Sequence, residues 1–199
     1  TGGLLGFEAT DNVAGNGLGA VVAMGGDVNN DGIADLLIGS DPDFGEGLKG
    51  STWLLTGGQN LTSQINTTNG ELNLNTLPVG IDAYEFVGET NDDAAGRSID
   101  FLGDFNGAGV DDFIISALGD DDNDDRSGAS YVIFGGQDWT TLAGASGGSR
   151  DIDLSTIGGT LDGFKITGVG QLNYLGQQVS DAGDVNNDGY ADLLIVSQW

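Results

Sequence analysis

The sequence predicts an all-β fold: a β-propeller whose blades are four antiparallel strands. Three observations carry that expectation. An acidic loop recurs in phase, starting at Asp27, Asp104 and Asp184, 77 and 80 residues apart. Short apolar runs bounded by Gly, Asn and Asp flank each copy, as strands do. No apolar period of 3.6 residues persists over the roughly 11 residues that an amphipathic helix needs.

In chain order, residues 7–11 read as the last strand of a preceding unit. Strands follow near 21–24, 34–39, 51–56 and 83–88, each rich in β-branched, aliphatic or aromatic residues. The flanks keep phase with the loops. Phe7, Tyr84 and Phe164 stand twenty residues before them, and Gly19, Gly96 and Gly176 eight before. Leu36-Leu37-Ile38, Phe113-Ile114-Ile115 and Leu193-Leu194-Ile195 follow. The repeats run approximately over 7–83, 84–163 and 164–199, the last partial, within one domain over 1–199. About two complete blades with partial blades at both ends is the expected content. A four-stranded unit cannot bury both faces of its sheet alone, whereas units packed radially can. A linear β-solenoid is the alternative, but its coils are usually much shorter. The chain is expected to be a piece of a longer propeller, or else to complete its ring by self-association. The inserts 60–82 and 138–162 carry the alternating runs Leu72-Asn73-Leu74-Asn75 and Ile152-Asp153-Leu154-Ser155, which fit an extra edge strand or a half-buried surface loop.

Composition narrows the function. Of 199 residues 37 are glycine, and 31 acids face 5 Lys plus Arg, a formal charge of −26. Asp outnumbers Glu 26 to 5, which favours turns and metal loops over helices. Such a charge argues against nucleic acid and anionic membrane surfaces as partners. Without Cys there is no disulfide framework, and without His the commonest zinc ligand and general base are missing. No apolar run approaches the roughly 18 residues of a membrane span. The first residues read as a mature or excised end. A hydrophobic fraction of 38%, gathered in tight clusters, separates the chain from disordered acidic sequences.

The acidic loops read D-x-N-x-D-G-x-x-D. Oxygens at alternate positions of a tight turn converge on one point, and calcium takes 6–8 oxygens at about 2.3–2.6 Å. The first loop offers Asp27, Asn29, Asp31, Asp35 and the Ile33 carbonyl. The third offers Asp184, Asn186, Asp188, Asp192 and the Tyr190 carbonyl. In the middle loop Ala108 replaces the third acid, leaving Asp104, Asn106, Asp112 and the Val110 carbonyl. Two stronger calcium sites and a weaker third are therefore expected, since affinity follows ligand charge and number. An EF-hand would need an acid at position twelve, where Ile38, Ile115 and Ile195 stand, so each loop should join two strands. Asp111 should point away from its loop. Metal-free Asx turns are the competing reading, which three copies in phase disfavour.

The units resemble FG-GAP repeats, the blades of the integrin alpha-chain β-propeller and of related bacterial surface proteins. The Phe-Gly pair of that motif stands here as Leu18-Gly19, Ala95-Gly96 and Leu175-Gly176, without the aromatic. Its Gly-Ala-Pro segment appears loosely as Gly39-Ser40-Asp41-Pro42 and Ser116-Ala117-Leu118. The calcium loop matches position by position apart from Ala108. The resemblance implies a calcium-stabilised propeller on an extracellular or cell-surface protein, used for adhesion or ligand binding, with a protein or glycan as partner. The alternative is the propeller of a calcium-dependent polysaccharide-degrading enzyme. Symmetric repeats supply no unique catalytic constellation; that reading would gain if residues outside the repeat register, such as Arg97, Arg126 or Arg150, gathered with unpaired acids in one cleft.

Weaker features complete the reading. The run 120–125 fits a solvated loop, or another cation site. Trp53 and Trp139 fit packing better than sugar platforms. Asn60 and Asn66 head glycosylation patterns that chance explains in an Asn- and Thr-rich chain.

Overall fold

The computed structural model describes residues 7–11, 13–42, 47–58, 61, 70–144 and 150–198. The strands are β1 (Glu8–Thr10), β2 (Val21–Met24), β3 (Leu36–Gly39), β4 (Ser51–Leu55), β5 (Glu71–Asn73), β6 (Ala83–Val87), β7 (Ala95–Gly103), β8 (Asp112–Ala117), β9 (Ala129–Ile133), β10 (Asp151–Asp153), β11 (Gly163–Thr167), β12 (Gln178–Gly183) and β13 (Asp192–Val196). One short helix, α1 (Trp139–Gly144), and two 3-10 turns, Leu74–Thr76 and Leu154–Thr156, complete the described elements. The fold is all-β. Both glycosylation patterns begin outside the described residues.

Each antiparallel sheet takes three strands from one repeat and its fourth from the start of the next. The first runs β2-β3-β4-β6 and the second β7-β8-β9-β11, while β12 and β13 pair as a hairpin. Among the described residues no sheet closes on itself. Central strands are buried on both faces: all of β4, β8 and β9. Their side chains alternate between two cores, as a pleated strand requires. Leu37 and Leu54 join the cluster shared with Phe101, Phe113, Ile115 and Tyr131 of the second unit, whereas Ile38, Trp53 and Leu55 face the opposite way. Ile114 and Val132 turn to a third cluster with Val179, Leu193 and Ile195. The sheets therefore stack face to face, each sharing a core with its neighbour. Phe86 and Phe113 meet edge-on across the first interface, 5.2 Å between centroids, a geometry that adds to area burial.

The first strands of successive units lie side by side, β2 against β7 and β7 against β12. Val179 N donates to Ser98 Oγ at 3.0 Å, and Ser180 Oγ to Asp100 Oδ2 at 2.8 Å. Backbones approach too closely here for a side chain: a Cβ on Gly96, where φ is +97°, would lie 2.2 Å from Ser51 O. Gly176 meets a similar approach, 2.8 Å from Ala129 O, whereas Gly19 has open space; what the glycine eight residues before each loop shares is a left-handed φ, +85°, +97° and +91°.

The inserts resolve into a strand with an unexpected partner. β5 pairs with β1, and β10 with β6, both in parallel. Each insert thus adds a strand to the outer edge of the preceding unit, making the first sheet five-stranded. Among the described residues no helix is long and apolar enough to cross a membrane.

Candidate metal-binding loops

Each acidic loop is the connection of a β-hairpin. Met24 pairs with Leu36 across the first, and Gly103 with Asp112 and Gly183 with Asp192 across the others. Successive loops touch. Asp27 N donates to Asp111 Oδ2 at 2.9 Å, so Asp111 serves the neighbouring loop instead of its own. A Cβ on Gly107 would lie 2.7 Å from the Tyr190 ring.

In the first loop Asp27 Oδ1 and Asn29 Oδ1 both accept from Asp31 N, at 3.0 Å each. Two oxygens on one amide are necessarily close together. Asp27 Oδ2 accepts from Gly32 N at 2.8 Å, and Asp31 Oδ1 from Ile33 N at 2.8 Å. Left-handed φ at Asn30 (56°) and Gly32 (83°) lets the chain fold back inside this nest. The third loop repeats it: Asp184 accepts from Asp188 N and Gly189 N, and Asp188 from Tyr190 N, with Asn187 at φ 60°.

Position nine has a second task that spacing did not reveal. Asp35 is fully buried; its Oδ2 accepts from Val28 N and its Oδ1 from Gly57 N, both at 2.8 Å. Asp112 does the same with Asn106 N at 2.9 Å and Gly135 N at 2.8 Å. Each carboxylate ties its loop to the turn ending the third strand of its sheet. A Cβ on Gly57 would lie 2.3 Å from Ala34 O, which explains a glycine there. Burial pushes the Asp35 carboxyl up to about 6, against two amide bonds and with Asp31 and Asp27 adding to the rise. Burial raises the Asp112 carboxyl too. Asp192 accepts from Val185 N at 2.9 Å and from Asn186 Nδ2 at 3.3 Å.

The middle loop differs at the expected place. Asp104 Oδ2 accepts from Gly109 N at 2.9 Å, but Ala108 N donates to Asn106 Oδ1. Asp104 Oδ1 is buried with no hydrogen-bond partner. A buried anionic oxygen without a partner is costly, and a hard cation is the partner its chemistry suits. All three loops offer only oxygen donors, the set that calcium takes. The donor type therefore suits calcium, with Asp27, Asn29, Asp31, Asp35 and the Ile33 carbonyl as the groups that would hold it in the first loop and their counterparts in the others. The three carboxylates of the first and of the third loop do not all bring oxygens within 4.8 Å of one another, so a bound cation would have to draw position nine inward. Ile33 and Tyr190 are exposed, and Val110 is half-buried.

A trio of carboxylates brings oxygens within 4.8 Å of one another elsewhere: Glu89, Asp120 and Asp122. Its centre already holds a cation. Lys165 Nζ lies 3.0, 2.8 and 2.6 Å from these three groups, and 5.2 Å from the centroid of the Tyr131 ring. Tyr131 donates its hydroxyl to Glu89 Oε1 at 2.8 Å. Burial works against the Lys165 charge, yet bonds to Asp120, Asp122 and Glu89 hold its ammonium above lysine's usual range. Burial raises the Asp120 carboxyl, which Lys165 opposes. So the acidic run is only partly solvated: Asp121–Asp125 are exposed while Asp120 is 2% exposed. The signal was the rarity of cations, one of which sits mid-strand.

The remaining candidates are dispersed. Arg97 pairs with Asp41, Arg150 donates to Ala83 O at 3.1 Å, and Arg126 lies beside Tyr174. Trp53 and Trp139 are buried, Trp139 edge-on to Phe86 at 5.8 Å. No family model matches the chain, and no curated protein matches it.

Proposed function

We propose that this chain is part of a calcium-binding β-propeller of the FG-GAP type, in which calcium is structural and the propeller serves adhesion or ligand binding at an extracellular or cell-surface location. One observation carries the metal reading: three hairpin loops in phase hold Asp and Asn oxygens on their own backbone amides, and the middle one leaves Asp104 Oδ1 buried without a partner. Face-to-face sheets, with β7 flanked by β2 and β12, support the propeller reading.

Bound calcium supplies positive charge and a common ligand centre for each loop. The first and third loops carry three carboxylates each and the middle loop two, so the middle site is the weakest. The chain's own contribution is preorganisation. Asp35 and Asp112 clamp the loops to the adjacent turns, and Asx nests keep the donors together before any cation arrives. Extracellular modules bind calcium at about 10⁻⁴–10⁻³ M, which suits the proposed location. At free calcium about ten times Kd, each independent site adds about 1.4 kcal/mol. Thermal melting with millimolar calcium and with excess EDTA tests this: the chelated chain melts lower, and identical melts refute the reading.

A further inference from the structure

The three loops share an asparagine at position three, Asn29, Asn106 and Asn186, followed by a residue in the left-handed region: Asn30 at φ 56°, Gly107 at 75° and Asn187 at 60°. The backbone is alike, but the side chains are not. In the first loop Asn29 Nδ2 donates to Asp31 Oδ2 at 3.0 Å, and in the third Asn186 Nδ2 donates to Asp192 Oδ1 at 3.3 Å. The middle loop has Ala108 where Asp31 and Asp188 stand, and among the described residues no group accepts from Asn106 Nδ2. Packing sets the next residue. A Cβ at position 107 would lie 2.7 Å from the Tyr190 ring of the third loop, so the middle loop alone carries an Asn-Gly pair.

That pair is chemically special. With no Cβ beside it, the Gly107 nitrogen reaches the Asn106 carboxamide carbon without hindrance, and among the described residues it donates to no other group. Asn106 Oδ1 already accepts from Ala108 N at 2.8 Å, so a backbone N–H points at the oxygen on which charge develops during attack at Cγ. Asn106, Gly107 and Ala108 are all exposed, which gives water access. Asn16-Gly17 has the same chemistry and the opposite setting. Asn16 is 5% exposed, its Nδ2 donates to Asp11 Oδ2 at 3.1 Å, and Gly17 packs so tightly that a Cβ would lie 2.6 Å from Asp41 O. A further pair begins at Asn69, outside the described residues.

We infer that Asn106-Gly107 is a self-modification site, at which the chain and water convert the Asn106 carboxamide into a carboxylate. Gly107 N gives its proton to solvent and bonds to Asn106 Cγ, with the resulting oxyanion held by Ala108 N. The bond from Cγ to Nδ2 breaks, ammonia leaves, and a five-membered imide remains. Water opens that imide. Cleavage at Cγ gives aspartate at position 106, and cleavage at the main-chain carbonyl gives isoaspartate. In sum, one carboxamide and one water become one carboxylate and one ammonium, with no change in oxidation state. The aspartate product gives the middle loop three carboxylates, the number that the first and third loops carry. The effect of that added charge on calcium rests on the calcium reading, whereas the conversion does not.

The test incubates the whole chain with EDTA, in mildly alkaline buffer at body temperature made with water enriched in heavy oxygen. Peptide mapping by mass spectrometry follows Asn106 and Asn16 in the same sample. Asn106 should gain a carboxylate bearing one solvent oxygen about tenfold or more faster than Asn16. In urea the two pairs should convert at similar rates. Asn106→Gln should abolish the product at that position, since ring closure would then need a sixth member. Asn106 preserved as long as Asn16 in the folded chain overturns the proposal. An equal ratio of rates in urea overturns it too, because the dipeptide's neighbours and not the fold would then set the reaction. Both readouts are taken without calcium, so their failure and the failure of the calcium reading are separate results.

Discussion

Two acidic regions of this chain solve the same electrostatic problem in opposite ways. The Glu89–Asp120–Asp122 cage brings its oxygens within 4.8 Å and neutralises them with its own Lys165. The hairpin loops hold Asp27, Asn29 and Asp31, or their counterparts, around backbone amides and include no side-chain cation of their own. With 5 Lys plus Arg against 31 acids, internal neutralisation cannot be general. The cage ties the first and second sheets through the chain's own lysine, whereas the proposed calcium reading has the loops draw their cation from solution. The contrast extends to one strand position: where β11 places Lys165, β6 places Glu85.

Breaking the cage has the largest expected effect. Lys165→Met leaves three close carboxylates uncompensated, two of them largely buried, and should cost about 3–5 kcal/mol. Urea unfolding should show that loss equally with calcium and with EDTA. A loss that calcium abolishes would mean that the cage itself takes metal.

Asp35→Asn separates the clamp from the ligand. An amide cannot accept from both Val28 N and Gly57 N while turning its own NH2 into the same pocket. A cost of about 1–3 kcal/mol is expected even in EDTA. If the variant matches its parent in EDTA and loses stability only with calcium, position nine is a ligand alone.

Exchanging position five between loops sharpens the comparison further. Ala108→Asp restores a third carboxylate to the middle loop and should tighten its calcium binding, whereas Asp31→Ala should weaken the first loop toward the middle one. Competition with a calcium-sensitive dye reads both, and unchanged affinities would show that position five lies outside the coordination sphere.

The smallest effect concerns Glu85. Burial raises its carboxyl above 4.5, with Asp151 and Asp11 adding and a hydrogen bond from Ser51 opposing. An acid raised in the folded state holds its proton more tightly there than in the unfolded chain. The stabilisation is full below the unfolded value and is lost as pH rises through the folded one. Glu85→Gln should melt above the parent at about pH 7, with the advantage gone near about pH 4. An equal gain at both values would contradict the assignment.

Much of this was legible in the sequence. Strands expected at 21–24, 34–39, 51–56 and 83–88 appear as Val21–Met24, Leu36–Gly39, Ser51–Leu55 and Ala83–Val87. Local alternation and turn residues suffice for such segments, and the strand-to-strand character of the loops followed from the apolar residue at position twelve. The pairing of β5 with β1 and β10 with β6 was not legible, because three-residue strands joined to a different unit leave no local periodicity. α1, six residues long, is too short to show a helical period. The Lys165 cage was hidden for the same reason as the Asp35 clamp. Both depend on which groups meet across sheets, and a lysine or aspartate at a strand position reads locally as one more polar residue.

The central claim is that external calcium completes the hairpin loops. Calorimetric titration of calcium into the chelator-stripped whole chain tests it most directly. The account predicts saturable binding at three sites, two tighter and one weaker, with the weak one lost in Asp104→Ala. Absence of binding at millimolar calcium, or three sites of equal affinity untouched by Asp104→Ala, would contradict it.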